Sequence, residues 1–585
     1  MYQPYKMIVV NLIAVIILAT ISYFYLKLRK KQKINFLFLV IIFSLPPIIS
    51  IFRKGTYESG DLSLHTYRAI AFFHSLQEGI FFPQWAGKLN ATYGYPLFIF
   101  APPLPYYITS FFHFLGVSFL NSLKLLLALS FIGSGITMYY WAKEEFGKLP
   151  GFIASVFYLY SPYHLVDLHF RANPGEVIAF MFFPLSMLAT KKVIHKSNLI
   201  WILTLAISIG LLILSHPIAL ILLPFVICYS ILLLYKENKY WKNIIKLLFS
   251  FIFGLLLSLF YWLPEITLGK YTLQKYFHHE VLFPQIQEFI YSPWRYGLLF
   301  QGSKGELSFI IGYAQLTVVI LLVIFLIKKR SFASNKLIVY FFLVFFLIIF
   351  FLMQSISKPL WSLIPLIENL QFSYRMLLLM SFITAGIAGI VTMKIKNKIL
   401  FISLIAFAVL STILNWGNRR TIPEIASDLY FENQLSLSTF AGEGGGPAAP
   451  KWLDPKNLWQ KEIPAKNLEV IEGNASIVEL SNTSTKREYV VSVHMPTRFK
   501  ENTLYFPGWY VYANNRPIRV DYNDPKYQGI MTFNLVKGLY KLDVLYIPLK
   551  IQQISQIISI IAWITACFII LYILLANRVK YFFKI

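Results

Sequence analysis

Long apolar runs broken by short basic clusters set the rhythm of this chain. Met7–Leu26 is the first run and is followed by Lys27, Arg29, Lys30, Lys31 and Lys33. Later runs end at KKVIHK, KENKYWKN, KKRSFASNK and KIKNK. A run of about 20 apolar residues is long enough to cross a bilayer as a helix. Basic residues gather on the cytoplasmic side of such helices. Placing all the strong basic clusters on one side predicts thirteen spans with the N-terminus outside. These are Met7–Leu26, Ile34–Phe52, Ser122–Trp141, Phe152 to about His164, Val177–Thr190, Leu199–Ser215, Ile218–Tyr235, Ile244–Leu263, Ala314–Ile327, Leu337–Met353, Met376–Met393, Ile399–Asn415 and Ile554–Ala576. The segment Pro102–Leu115 is read instead as a helix lying in the outer interface. Treating it as a span would put Arg171 and Glu176 in the cytoplasm and KKVIHK outside.

This threading leaves three external segments: 53–121, 264–312 and 416–552. The last contains REYVVSVHM, NTLYF, WYVYA, PIRVDY, GIMTFNLV and LYKLDVLYI, with turns such as NN and KG between them. Short alternating runs with close turns predict an antiparallel β-sandwich. GEGGGPAAP before it reads as a flexible or ligand-contacting loop. The expected organisation is a helical membrane domain over 1–415, an extracytoplasmic β-rich domain over 416–552, and a last helix with a basic tail over 553–585.

Composition agrees with a multi-pass membrane protein. The chain has 585 residues, of which 57% are hydrophobic and 14% charged, and its mean hydropathy is +0.60. Soluble domains carry about 25% charged residues. Basic charge follows the first apolar run, the reverse of a cleavable signal peptide. The net charge of +26 is largely the clusters between helices, so it gives no reason to expect nucleic acid. The two cysteines, Cys228 and Cys567, lie inside apolar runs and offer no disulfide framework or metal site.

Two constellations carry candidate chemistry. SGDLSLHTYR places Asp61, His65 and Arg68 on one helical face just after the chain leaves the membrane. Asp61 is positioned to cap that helix, and beside His65 it is equally a candidate base. SPYHLVDLHFRANPGEVIAF holds Asp167, His169, Arg171 and Glu176. Glu176 opens the next helix, where acidic residues are favoured anyway. The functional reading has Glu176 facing Asp61 across a cleft. Two such carboxylates suit general-base work or a divalent cation held by oxygen ligands. Arginines nearby would hold a phosphate through forked donors, and the candidates are Arg68, Arg171, Arg295 and Arg375. His216, at a helix end, is either a lipid-phosphate contact or an interfacial histidine. His278-His279-Glu280 reads as solvated loop or as a part that joins the site on binding. Trp85, Tyr93, Tyr95, Trp294 and Trp361 fit an aromatic belt, and a sugar-stacking role is open for Trp85 and Tyr95. Walker, dinucleotide-fold and HExxH zinc motifs are missing, so a nucleotide cofactor is not expected.

An early first-loop aspartate, a PPLxYY segment and a second loop of the form P-Y-H-L…R…G-E resemble the GT-C membrane glycosyltransferases. The stretches GDLSLHTYRA…GIFFPQWAGKLNATYGYPLFIFAPPLPYY, LWSLIPLIENLQFSYRML and FPGWYVYANNRPIRV are similar to bacterial membrane proteins labelled "6-pyruvoyl-tetrahydropterin synthase-related". The resemblance implies a GT-C-like helical domain in the plasma membrane that transfers a sugar from a polyprenyl-phosphate donor at the extracytoplasmic face. The acceptor would be an envelope polymer, glycan or protein. It assigns Asp61 as catalytic base or metal ligand and Glu176 as the second acidic position. A Mg2+ or Mn2+ ion on Asp61 and Glu176 is the cofactor this implies. The chain departs from the class in having Leu62 where an adjacent second acid would stand, and in its added first span, so metal dependence stays open. The competing readings are a non-catalytic envelope or polysaccharide-binding protein of the same fold, and a lipid or polysaccharide transporter. A transporter would place its ionisable groups near the bilayer midplane.

Overall fold

The computed structural model describes residues 4–29, 34–196, 198–235, 240–274, 281–291, 300–301, 306–328, 336–363, 367, 370–416, 421–436, 446–454 and 462–582. Each of the thirteen expected segments is helical, but they are not thirteen equal spans. Five helices are long and apolar enough to cross a membrane: Ile8–Leu28, Phe119–Phe146, Pro174–Lys196, Ser373–Thr392 and Lys550–Ala576. Two further segments are bent pairs, Trp241–Leu257 with Leu259–Tyr271 at 69° and Lys336–Leu352 with Ser355–Leu363 at 87°. The remaining six helices are 10–17 residues long. Apolar periodicity reports helix but not straightness: the expected unbroken run Ile244–Leu263 breaks at Ser258, whereas Leu337–Met353 is helical as expected and bends only beyond its end.

Burial sorts these helices into centre and rim. Ser373–Thr392 is wholly enclosed, whereas the first and last long helices present most of their apolar side chains outward. At the centre, Phe382 meets Trp141 and Phe183 with ring centroids 4.5 and 4.7 Å apart. The PPLPYY segment forms the helix Leu104–Phe114, with Pro105 in its first turn where no backbone donor is needed. At 11 residues it is too short to span. It packs against the helices Leu62–Gln77 and Phe119–Phe146.

The C-terminal strands are β1 (Leu468–Asn482), β2 (Lys486–Leu504), β3 (Trp509–Ala513), β4 (Arg516–Ile518), β5 (Ile530–Leu535) and β6 (Gly538–Tyr546). The sequence suggested a sandwich; the strands belong to one hydrogen-bonded antiparallel sheet of six, ordered β1-β2-β6-β3-β4 with β5 added to β2. The cause is the length of β2, 19 residues. Its first half pairs with β6 and its second half with β5. Burial alternates along Arg487, Tyr489, Val491 and Val493, as expected for a half-buried strand. Asn514 and Asn515 make the β3–β4 turn with φ of 48° and 62°, the paired left-handed residues of a tight hairpin.

The stretch before the sheet packs elsewhere. Thr421–Ile422 pairs with Thr56–Tyr57, and the helix Asp428–Gln434 lies on Leu62–Gln77. Asp428 accepts the Phe119 N–H at 2.9 Å, and Glu432 meets His74 at 3.1 Å. The sheet itself is clamped to the first loop. Glu78 accepts from the backbone and hydroxyl of Ser484 at 2.9 and 3.1 Å. Trp85 packs between Trp509 and Tyr546, with centroids 5.3 and 5.9 Å away.

Candidate active site

The two constellations meet. The backbone N–H groups of Gly60 and Asp61 donate to the carbonyls of Phe170 and Arg171 at 2.7 and 2.8 Å. The start of the helix Leu62–Gln77 is thereby stitched to the π-helical turn Asp167–Arg171. Such turns occur often at functional sites.

Asp61 stands at the cap position but its side chain caps nothing. The Leu62 N–H instead points at the Ser59 hydroxyl, 3.4 Å away. Among the described residues, the partly exposed carboxylate of Asp61 has one long hydrogen-bond contact, Asn173 Nδ2 at 3.4 Å from its Oδ2. The expected dual role of cap and base therefore loses its first half.

Glu176 is the opposite case. Asn173 and Glu176 have the spacing of a capping box, and only half of it forms. Asn173 Oδ1 accepts the Glu176 N–H at 3.1 Å. The fully buried Glu176 side chain turns inward instead. Its Oε2 accepts from the Tyr163 hydroxyl at 2.7 Å. Its Oε1 lies 2.7 Å from Arg171 Nη1, 3.2 Å from Arg375 Nε and 3.5 Å from His216 Nε2. The Arg375 contact is an ion pair without hydrogen-bond alignment; its Nη1 donates to the Leu370 carbonyl at 2.7 Å. Arg171 Nη1 also meets Asp167 Oδ1 at 2.7 Å. Gly175 lets the His216 segment come this close, since a Cβ there would sit 2.4 Å from the Ser215 carbonyl.

His216 Nδ1 accepts the Ile218 N–H at 3.1 Å. That leaves Nε2 as the protonated nitrogen facing Glu176. Burial pushes the His216 pKa down to about 3, against the pull of the Glu176 charge. His65 Nδ1 lies 3.1 Å from the Tyr106 hydroxyl. Burial, then Arg68, His216 and Arg171, hold the His65 imidazole well below its ordinary value. Burial thus favours the neutral form of both histidines. Burial and the neighbouring Glu176 charge push the Asp167 carboxyl upward.

Arg68 is 7% exposed, and among the described residues neither its Nε nor its Nη2 has a hydrogen-bond partner. The phenols of Tyr106 and Tyr95 and, more distantly, the Asp61 charge surround it. The structure thus brings together Asp61, His65, Arg68, Tyr95, Arg171, Glu176, His216 and Arg375. Trp85 is not among them; it is 1% exposed in the seam between the first loop and the sheet. Arg295, Trp294 and His278-His279-Glu280 lie outside the described residues. Sequence reasoning missed Asn173, Tyr106 and Tyr163. Asn173 carried a readable sign, a helix-cap asparagine three residues before a glutamate.

The expected joint metal site on Asp61 and Glu176 does not fit these contacts. Glu176 Oε1 faces Arg171 and Arg375 and Oε2 accepts from Tyr163, so a metal here would stand against two cations and compete with a hydroxyl donor. Among the described residues, no group of three or more His, Cys, Asp or Glu is placed to hold a metal ion.

The model of the "6-pyruvoyl-tetrahydropterin synthase related domain; membrane protein" matches residues 98–418. That range contains Arg171, Glu176, His216 and Arg375 and begins after Asp61. An uncharacterized protein of Lactococcus lactis subsp. cremoris (strain MG1363) is 28% identical over 225 residues, 37% of each chain. Among solved structures, the arabinofuranosyltransferase AftD from Mycobacteria is similar with a TM-score of 0.40 and 15% identity. That likeness covers 65% of this chain and 26% of the mycobacterial one. The Archaeoglobus fulgidus oligosaccharyltransferase, solved with zinc and sulfate, gives a TM-score of 0.38 at 14% identity, covering 66% of this chain and 54% of that one. This chain therefore spans only about a third of its sequence relative and about a quarter to a half of these structural neighbours. With more than half of its length matched, the chain belongs to the family of membrane proteins built on the 6-pyruvoyl-tetrahydropterin synthase related domain.

Proposed function

We propose that the protein is a membrane glycosyltransferase that moves a sugar from a polyprenyl-phosphate carrier to an envelope acceptor at the extracytoplasmic face. The observation that carries this reading is the Asp61 carboxylate: partly exposed, almost unspent, and docked beside a cluster of buried guanidinium groups. In this mechanism Asp61 takes the proton of an acceptor hydroxyl. The freed oxygen attacks the anomeric carbon with inversion, and the carrier phosphate leaves as an anion. Fixed positive charge beside the departing phosphate lowers the barrier. A lipid-borne donor reaches such a site from within the bilayer and needs no nucleotide. Glu176 serves as counter-ion to Arg171 and Arg375 and keeps their charge in place.

The test is transfer in liposomes from labelled polyprenyl-phosphate sugars to an envelope-polymer fraction. Loss of a general base costs about 10²–10⁴-fold in rate, so Asp61→Asn is expected to lower transfer by at least 100-fold. Equal transfer by wild type and Asp61→Asn would remove Asp61 from the chemistry. No transfer by the wild type would favour the non-catalytic relative.

A further inference from the structure

We infer that the substrate phosphate is held by guanidinium groups, with Arg68 as its anchor and no divalent cation beside it. The inference rests on the transferase reading and names how its anion is neutralised. Arg171 and Arg375 are already engaged by Glu176. Arg68 is buried, and two of its nitrogens have no acceptor among the described residues. Tyr106, Tyr95 and the Asp61 charge attend this guanidinium, but buried N–H groups left without an acceptor are costly, and an arriving phosphate would remove that cost. Arg68 lies two helical turns beyond Asp61 on the helix Leu62–Gln77, next to His65 and Tyr106. An anion there would sit within the same site as the proposed base.

A metal has little to hold. Of the two carboxylates proposed for it, Glu176 is occupied by Tyr163, Arg171, Arg375 and His216. Asp167 is fully buried and paired through Oδ1 with Arg171; Asp61 is the partly exposed carboxylate, and Arg68 and Arg171 lie close to its neighbour His65. Hard divalent cations are bound through several oxygens of negative charge. One partly exposed carboxylate among guanidinium groups, with Asp167 and Glu176 already paired to arginine, is a poor version of that site. The guanidinium fork matches phosphate in geometry and keeps its charge at every physiological pH.

The experiment titrates the full chain in nanodiscs with farnesyl phosphate, inorganic phosphate and farnesol, each with EDTA and with excess Mg2+ or Mn2+. Farnesyl phosphate is expected to bind equally well with and without the cations, and more tightly than farnesol. Arg68→Gln should weaken it about 10- to 100-fold, the worth of a charge-assisted hydrogen bond or two. Arg68→Lys should fall between, since it keeps charge and loses the fork. Inorganic phosphate binding as tightly as farnesyl phosphate would overturn the lipid as the anion's source. A tenfold or greater requirement for divalent cation in the wild type would overturn the inference and leave the transferase reading standing. So would unchanged binding by folded Arg68→Gln. If nothing binds under any condition, both readings fall together. The wild-type cation comparison decides the metal question even where an Arg68 variant does not fold.

Discussion

Asp61 and Glu176 should separate cleanly when activity and stability are measured on the same variants. Glu176 is fully enclosed and answers Tyr163, Arg171, Arg375 and His216. Glu176→Gln keeps the shape but removes the charge and turns one acceptor into a donor facing donors. Two buried arginines are then left with Asp167 as their neighbouring carboxyl. Breaking a buried pair by removing one partner costs about 3–5 kcal/mol. Asp61→Asn should cost no more than about 0.5 kcal/mol, the range of a surface change, because its carboxylate is partly exposed, caps nothing and has a single 3.4 Å contact. Thermal unfolding in nanodiscs, followed by tryptophan fluorescence, reads both. Glu176→Gln is expected to unfold several degrees lower, and Asp61→Asn within about a degree of wild type. Removing the stranded cation as well, in Glu176→Gln/Arg375→Met, should recover part of the loss, since contacting residues couple by about 0.5–3 kcal/mol. Transfer should show the reverse order for Asp61, lost although the fold is intact. A Glu176→Gln protein as stable as wild type but inactive would refute this division and make Glu176 a reacting group. A large stability loss in Asp61→Asn would return Asp61 to a structural role.

Three further outcomes follow from the same geometry. Lys124 is fully buried and its Nζ donates to the carbonyls of Arg53 and Gly55 at 2.7 and 2.5 Å; Lys124→Met should cost about 1–3 kcal/mol for the stranded acceptors, read as faster hydrogen exchange over residues 53–57. Trp85→Ala should cost about 3–5 kcal/mol and expose the C-terminal sheet to limited proteolysis, because its partners are Trp509 and Tyr546; a change confined to substrate affinity would place Trp85 in the site after all. His216 has its pKa lowered to about 3, below the ordinary value of about 6.5, so the unfolded chain binds the proton first. Its contribution is complete above about pH 6.5 and is lost as pH falls toward 3; His216→Asn should flatten the stability–pH curve in that window, and an unchanged curve would refute it.

Helices were legible in this sequence because apolar runs and basic clusters are local. The bends were not. Nothing in LLLSLFYWLPE marks Ser258 as the break, and Pro264 lies beyond it. The acids of the site were visible for a similar reason: Asp61 and Glu176 are charges at the borders of apolar segments. What each does was hidden, because both occupy helix starts where capping alone explains an acid. The difference comes from neighbours. Asp61 makes no cap hydrogen bond and meets Asn173 at 3.4 Å. Gly175 admits His216, and Tyr163, Arg171 and Arg375 draw Glu176 inward. Tyr106 and Tyr163 stood inside the PPLxYY and P-Y-H-L motifs, but nothing local gave their phenols a role. Trp85 was misleading because its packing partners stand more than 400 residues away along the chain. The same contrast bears on chemistry. Two acids with the same local sequence context come out with opposite side-chain environments, one saturated by donors and one nearly bare. A site that spends one carboxylate on holding arginines has committed its positive charge to guanidinium groups, and the carboxylate left over is the one free to accept a proton.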